Sequence, residues 1–216
     1  MKKTVLLGPG GHVSVVLEVL KQYEDIEVIG FTDANYKKGQ FYKTYSVLGT
    51  DEILTDLIKD NKAEYAFITV GSTGDNSLRK KLFNKIMRLG YKTFNIIDQD
   101  SLIAENVRFG KGNFVSPGAK INPNVKIGDN NIINTGAIIE HDCQIGDHTH
   151  ISPGAVLAGN AKINNLVHIG LGAKVIEGIT IGENSLIGAG AVIIEDIPAN
   201  SVVVGNPGKI IRKRGD

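Results

Sequence analysis

The sequence has no tryptophan, two methionines, six prolines and a single cysteine. Cys143 therefore has no partner for an internal disulfide, which excludes a disulfide-built secreted scaffold and fits a reducing compartment. Neither sign of charge dominates: 24 lysines and arginines face 23 aspartates and glutamates, for a formal net charge of +1. Proteins that hold nucleic acid or anionic membranes need a basic excess, so no nucleic-acid partner is expected. A long hydrophobic run is also missing. The opening MKKTVLLGPGGH joins two lysines to an apolar stretch too short to cross a membrane, and no small-residue cleavage site follows it. These absences predict a soluble, cytoplasmic protein without membrane insertion. What remains, 216 residues of which 42% are apolar, suffices to bury a core.

Aromatic residues are scarce in one half only. Of the 13 phenylalanines and tyrosines, 11 lie before residue 100, and only Phe109 and Phe114 follow. Glycine and isoleucine become dense there. This shift predicts two domains with different interiors, residues 1–98 and 101–216, joined near Asp98–Ser101.

The first part alternates strand and helix patterns. Strands are expected over Thr4–Leu7, Val28–Thr32, Tyr65–Val70 and Thr93–Ile97, and helices over Val13–Lys21, Asp51–Lys59 and Ser77–Leu89. Such alternation implies an α/β domain with a small Rossmann-like parallel sheet, whose ligands sit at the carboxyl ends of the strands. Those ends are the Gly8–His12 turn, Asp33 and the segment from Gly71 to Asn76. Gly8, Gly10 and Gly11 would let backbone N–H groups approach a ligand at a helix N-terminus. The dinucleotide fingerprint G-x-G-x-x-G is not met, because residue 13 is Val.

The second part is a repeat. Counted in sixes from Ile103, all 16 first positions are Ile, Val, Leu or Phe, with no insertion across 96 residues. The fifth position is often small, as at Ala119, Ala137, Ala155, Ala173 and Ala191. Neither a heptad nor simple strand alternation has this pattern. A hexapeptide β-helix does: three hexads make one triangular coil, the first position points inward, and the small fifth position fits the corner. Sixteen hexads give roughly five coils, about 4.8 Å apart.

Unbroken hexads ending in VVVGNPGKIIRKR, with GPGGH, FTDAN and NTGAIIEHDC, resemble one family over nearly the whole chain. It is the bacterial sugar acyltransferase family of hexapeptide-repeat enzymes, which includes UDP-4-amino-sugar (bacillosamine) N-acetyltransferases and sialic acid O-acetyltransferases. The resemblance implies a left-handed β-helix, acetyl-CoA as co-substrate and a nucleotide-sugar acceptor held by the first domain.

Acetyl transfer from a thioester needs a base, a stabilised oxyanion and a grip on CoA; no metal is required. His141 is the candidate base, since an imidazole titrates near neutrality. It is third in its hexad, near a corner where its side chain and that of Asp142 can both leave the prism. The resemblance makes His141 the proton acceptor and Asp142 its support. It also places His150, Gly159, Leu171 and Ala189 on CoA, and Gly10, Gly11, His12 and Asp33 on the nucleotide-sugar, with Gly71 at the neighbouring strand end. Gly159 lies one coil above His141, where a missing side chain would leave room beside the base. His12 is alternatively a helix cap.

His150 and His168 are 18 residues apart, so their side chains should stack on one outer edge, with His168 read as an exposed polar residue. His148 receives no role. Lys209, Arg212, Lys213 and Arg214 are either ligands for CoA phosphates or a solvated tail. A β-helix prism has flat faces, and His141 on one of them encloses nothing, so a homotrimer is expected to complete the site. Three other readings compete. O-acetylation of a sialic acid would share base and donor. A zinc carbonic anhydrase would use His141, His150 and His168 as ligands. A trimeric scaffold would use none of them.

Overall fold

The computed structural model describes residues 1–215; Asp216, the last residue of the expected second domain, lies outside the described residues. The chain forms two compact units. The first comprises Met1–Gly71 and Leu78–Ile96, and the second comprises Ser72–Ser77 and the chain from Ile97 onward. The short strip Ser72–Ser77, early in the sequence, belongs to the second unit.

In the first unit, strands β1 (Lys2–Leu7), β2 (Ile26–Thr32), β3 (Phe41–Tyr42), β4 (Tyr45–Gly49) and β5 (Tyr65–Ile68) form a sheet of order β3-β4-β2-β1-β5. β1 pairs in parallel with β2 and β5, and β2 in parallel with β4. Helices α1 (Val13–Leu20), α2 (Leu54–Lys59) and α3 (Ser77–Arg88) supply the crossovers that parallel pairing requires. α1 buries Val13, Val16, Leu17, Val19 and Leu20. Val5, Leu7, Leu54, Ala66, Ile68, Phe83, Ile86 and Tyr91 close a core around the sheet.

Three details differ from expectation. The helix expected from Asp51 begins as a 3-10 turn, Asp51–Ile53, and turns α-helical only at Leu54. Of the strand expected over Thr93–Ile97, only Ile96–Ile97 pairs; Lys92 bridges Tyr65 instead. The antiparallel pair β3–β4 carries no sequence signal, because its turn has Lys43 at φ +54° in place of glycine or asparagine. Edge-on contacts of Tyr42 and Tyr45 with Phe31 hold it.

The second unit is a left-handed parallel β-helix of two-residue strands. Each first-position residue pairs with the one 18 residues on: Ile121 with Ile139, Ile145 with Ile163, Ile151 with Ile169 and Val175 with Ile193. From Val115 to Ile193 all first positions are buried; only Ile103 and Phe109, at the open end, are half-buried. Ala119, Ala137, Ala155, Ala173 and Ala191 are fully buried at the corners. Several corners need left-handed backbone, which asparagine tolerates best, and Asn124, Asn130, Asn160 and Asn184 supply it at φ between 55° and 65°.

The basic tail is neither free nor loose. Lys209–Lys213 pairs antiparallel with Ser201–Val204 over the last coil, and Lys213 Nζ donates to Ser201 Oγ at 3.1 Å. Arg214 sits 3.9 Å from Asp75. Leu157, with 0% exposure inside the prism, reports on how well the coils pack. Leu157→Ala should cost about 2–5 kcal/mol, read as a fall in the urea midpoint against the parent protein. An unchanged midpoint would mean the prism is not packed.

Candidate active site

His141 sits in the corner turn between strands Ile138–Ile139 and Gln144–Ile145. Its neighbour Asp142 has φ +62°, which turns both side chains outward while Cys143 returns to the interior with 0% exposure. The His141 Nδ1–H donates to Asp142 Oδ2 at 2.8 Å. This bond is the main reason the His141 pKa lies above the ordinary imidazole value and the Asp142 pKa below the ordinary carboxylate value. With Nδ1 committed, the lone pair is on Nε2, facing out: the arrangement of a general base with an orienting carboxylate. Asn124, 18 residues earlier, donates from Nδ2 to Asp142 Oδ1 at 3.0 Å. The sequence reading missed Asn124, although the 18-residue spacing from Asp142 was there to be read.

Gly159 lies one coil above. A Cβ placed on it would come within 2.6 Å of His141 Cε1 and 2.7 Å of Nε2. The glycine therefore makes room for the imidazole ring, and its backbone does not need the left-handed region.

His150 and His168 do stack, with ring centroids 4.8 Å apart and edge to face. The expectation that they occupy an outer edge is wrong, and so is the exposure expected of His168. Both are strand residues on a flat face, at 7% and 8% exposure, paired directly in register. Ser72–Ser77 lies over them. Gly74 N–H donates to His168 Nδ1 at 3.3 Å, and His168 Nε2 is 3.2 Å from Ser152 Oγ. Burial depresses the His168 pKa to about 4, so the ring is neutral at pH 7.

His150 Nδ1 is 2.7 Å from Ser72 Oγ and its Nε2 is 3.1 Å from Asn134 Nδ2. This looks like a nucleophile–base pair, but the hydrogen-bond directions oppose it. Asn134 Oδ1 accepts from Thr135 N at 2.8 Å, so Nδ2 donates to His150 Nε2. His150 must then carry its proton on Nδ1 and donate to Ser72, which leaves it no base for that hydroxyl. With both nitrogens of each ring engaged, neither histidine offers a metal a lone pair, against the carbonic anhydrase reading. His148 is buried at a corner and bonds Asn130 at 3.0 Å.

Leu171 and Ala189 are exposed, Leu171 by 58%. They border a cleft of about 420 Å³ that also touches Ser72, Thr73, Gly74 and His168. They stand 30 and 48 residues after His141, neither a whole number of 18-residue coils, so they occupy a different corner of the prism. One chain does not bring them to His141.

In the first unit, Gly8–His12, Asp33 and Gly71 follow the ends of β1, β2 and β5, which are neighbours in the sheet. Gly8, at φ +88°, is required by packing: a Cβ there would meet Val70 Cγ2 at 2.2 Å. At Gly10 and Gly11 a Cβ would meet nothing within 4 Å, so the backbone there is open to a ligand. Asp33 Oδ1 accepts from Asn35 N at 2.6 Å. His12 precedes α1 without a side-chain capping bond, so the capping alternative fails. Burial, then the nearby Arg79 guanidinium, lower its pKa to about 3, and it is neutral at physiological pH. Among the described residues no cluster of His, Cys, Asp and Glu could hold a metal ion, and no helix is long and apolar enough to cross a membrane.

A sheet with open glycine backbone at its strand ends, followed by hexad coils carrying a His–Asp pair at a corner, defines a two-part hexapeptide-repeat transferase. Residues 3–86 match the PglD N-terminal domain family, and 106–141 and 124–159 match the bacterial transferase hexapeptide repeats. The crystal structure of a histidine-to-asparagine variant of perosamine N-acetyltransferase from Caulobacter crescentus, in complex with CoA and GDP-perosamine, is 34% identical. The match covers 98% of this chain and 97% of that one, with a TM-score of 0.89. The acetyltransferase domain of PglB from Neisseria gonorrhoeae FA1090 is 32% identical over 98% of this chain and 100% of that one, TM-score 0.85. WeeI from Acinetobacter baumannii AYE is 27% identical over 97% and 99%, TM-score 0.85. A search of curated protein sequences finds no match. The chain belongs to the family of hexapeptide-repeat sugar N-acetyltransferases.

The Gly159 geometry has a direct consequence. In Gly159→Ala the methyl group would displace the exposed His141 ring rather than disturb the core. Turnover should fall by about tenfold to a hundredfold, as expected for a misplaced catalytic group. The melting temperature should move by less than about 2 °C. Full activity in this variant would show that the ring does not act from the position seen here.

Proposed function

We propose that the protein transfers the acetyl group of acetyl-CoA to the amino group of a nucleotide-linked amino sugar, with His141 as general base. The observation that carries this reading is the outward His141–Asp142 pair with Gly159 cleared beside it. It is supported by relatives at 32–35% identity over almost the whole chain that are described with CoA or acetyl-CoA and, in part, with GDP-perosamine.

The substrate amine, uncharged when it reacts, attacks the thioester carbonyl. His141 Nε2 takes the proton that the nitrogen must lose, and Asp142 steadies the resulting imidazolium. Collapse of the tetrahedral intermediate expels the CoA thiolate, which His141 can reprotonate, leaving free thiol and an amide. Gly159, Leu171 and Ala189 hold CoA through backbone and small-residue contacts. His150, its nitrogens already engaged, contributes ring contact alone. Residues 1–98 bind the nucleotide-sugar through Gly10, Gly11, His12, Asp33 and Gly71. A buried neutral His12 suits a donor or acceptor role toward phosphate or ribose rather than an ion pair.

A homotrimer completes the site, because Leu171 and Ala189 lie on a corner that His141 does not share within one chain. Sedimentation should give about three times the 23.2 kDa chain mass. The reading places the enzyme in the cytoplasm, where its reduced buried Cys143 would also be stable.

Incubation with acetyl-CoA and a panel of nucleotide-linked amino sugars, with free sialic acids as the contrast, should release thiol only with the amino sugars. Release with sialic acid alone would turn the reading to O-acetylation. His141→Ala should lower kcat by about 10²–10⁴ and leave CoA affinity nearly unchanged. Near-normal turnover in that variant would remove the proposed base. The base is active when neutral and its pKa is raised. Activity should therefore rise with pH through that value and be lost below it.

A further inference from the structure

We propose that Asn124 is a positioning residue for the base, the middle member of an asparagine ladder that fixes which nitrogen of His141 carries the lone pair. The inference rests on the reading of His141 as base and adds a residue outside the EHDC segment to it.

The argument begins with a donor whose direction is not in question. The backbone N–H of Asn124 donates to the side chain of Asn106, the residue one coil below, at 3.2 Å. Only the Oδ1 of an amide can accept it, so the Asn106 amide group is oriented. Its Nδ2 then points to the Asn124 side chain, where it donates to Oδ1. That sets the Asn124 amide group in turn, with Nδ2 toward Asp142 Oδ1 at 3.0 Å. Both Asp142 oxygens are now acceptors. Oδ2, 2.8 Å from His141 Nδ1, requires a proton on that nitrogen. A backbone N–H one coil below Asp142 thus leads, bond by bond, to a free Nε2 lone pair on His141.

Backbone conformation favours the same residue. Asn124 and Asp142 both occupy left-handed corners, at φ +65° and +62°, where asparagine and aspartate are tolerated and most residues are strained. The same column carries Asn160 one coil higher, at φ +60°. An aspartate interrupts a column of asparagines at the one coil where a carboxylate can meet the histidine beside it. The charged groups acting on His141 are Asp142, Glu140 and Glu177, all anionic. Asn124 is the neutral donor that holds the nearest of them in place.

Two variants test this without straining the corner. Asn124→Gly keeps left-handed backbone available and deletes the donor. Asn124→Asp keeps shape and backbone but sets a second carboxylate against Asp142. The readout is the full-length protein's His141 imidazole, followed by two-bond ¹H–¹⁵N NMR, which reports tautomer and titration together, beside the kcat–pH profile. In the parent, the neutral ring should be the Nδ1–H form. Asn124→Gly should mix in the Nε2–H form and lower kcat by about 3- to 10-fold, the range for one net hydrogen bond, with the CoA KM unchanged. Asn124→Asp should raise the His141 pKa, moving the acid limb of the profile to higher pH. An unchanged tautomer and titration in both variants would overturn the proposal, even if turnover fell. A shifted tautomer in a protein that acetylates no amino sugar would uphold the ladder and sink the acetyl-transfer reading instead.

Discussion

The 18-residue stack governs the second unit. Each inward isoleucine, valine or leucine must lie on its counterpart in the next coil, so each outward residue is fixed over its own counterpart as well. Rows of like position follow along every face and corner. At one corner these rows satisfy the backbone: Asp129 N–H donates to Asp147 Oδ1, and Asp147 N–H to Asn165 Oδ1. At the corner of His141 the same device is turned to another end, since the row of Asn106 and Asn124 reaches a carboxylate committed to an imidazole. The site is a local exception within a repeating structure, and the repeat supplies the rigidity that a catalytic pair needs.

The faces of the prism differ for a related reason. Residues preceding each inward position point outward, and their chemistry decides what a face does. One face presents Arg108, Lys126, Gln144 and Lys162, all exposed. Another presents Phe114, Ile132, His150 and His168, all buried. Ser72–Ser77 covers the two histidines and takes up their ring nitrogens, which makes them structural partners of that strip in place of surface groups.

The first unit uses glycine in two distinct ways in one turn. Gly8 gives its side chain up to Val70, on the neighbouring strand end, whereas Gly10 and Gly11 leave open space. Beside them Arg79, at 2% exposure, donates to the Val70 carbonyl and keeps the buried His12 neutral. A parallel sheet ends its central strand at such a turn because both neighbours end on the same side, which gathers the backbone of three loops.

The hexad count determined the β-helix, its register and the stacking of equal positions, because a period of six with an apolar first residue has one economical packing. The spacing of 18 also put Gly159 against His141 before any coordinates were seen. The alternation of strands and helices likewise determined the parallel sheet. Other features were decided by tertiary structure alone. The β3–β4 pair forms around Phe31 with a lysine in its turn, where local sequence carries no turn signal. His150 and His168 are buried because a strip from far earlier in the chain lies on them, and period counting sees only the repeat itself. The lone pair on His141 depends on amide orientations in Asn106 and Asn124. A sequence names those side chains but does not orient them; only the direction of a backbone N–H in the folded coil does.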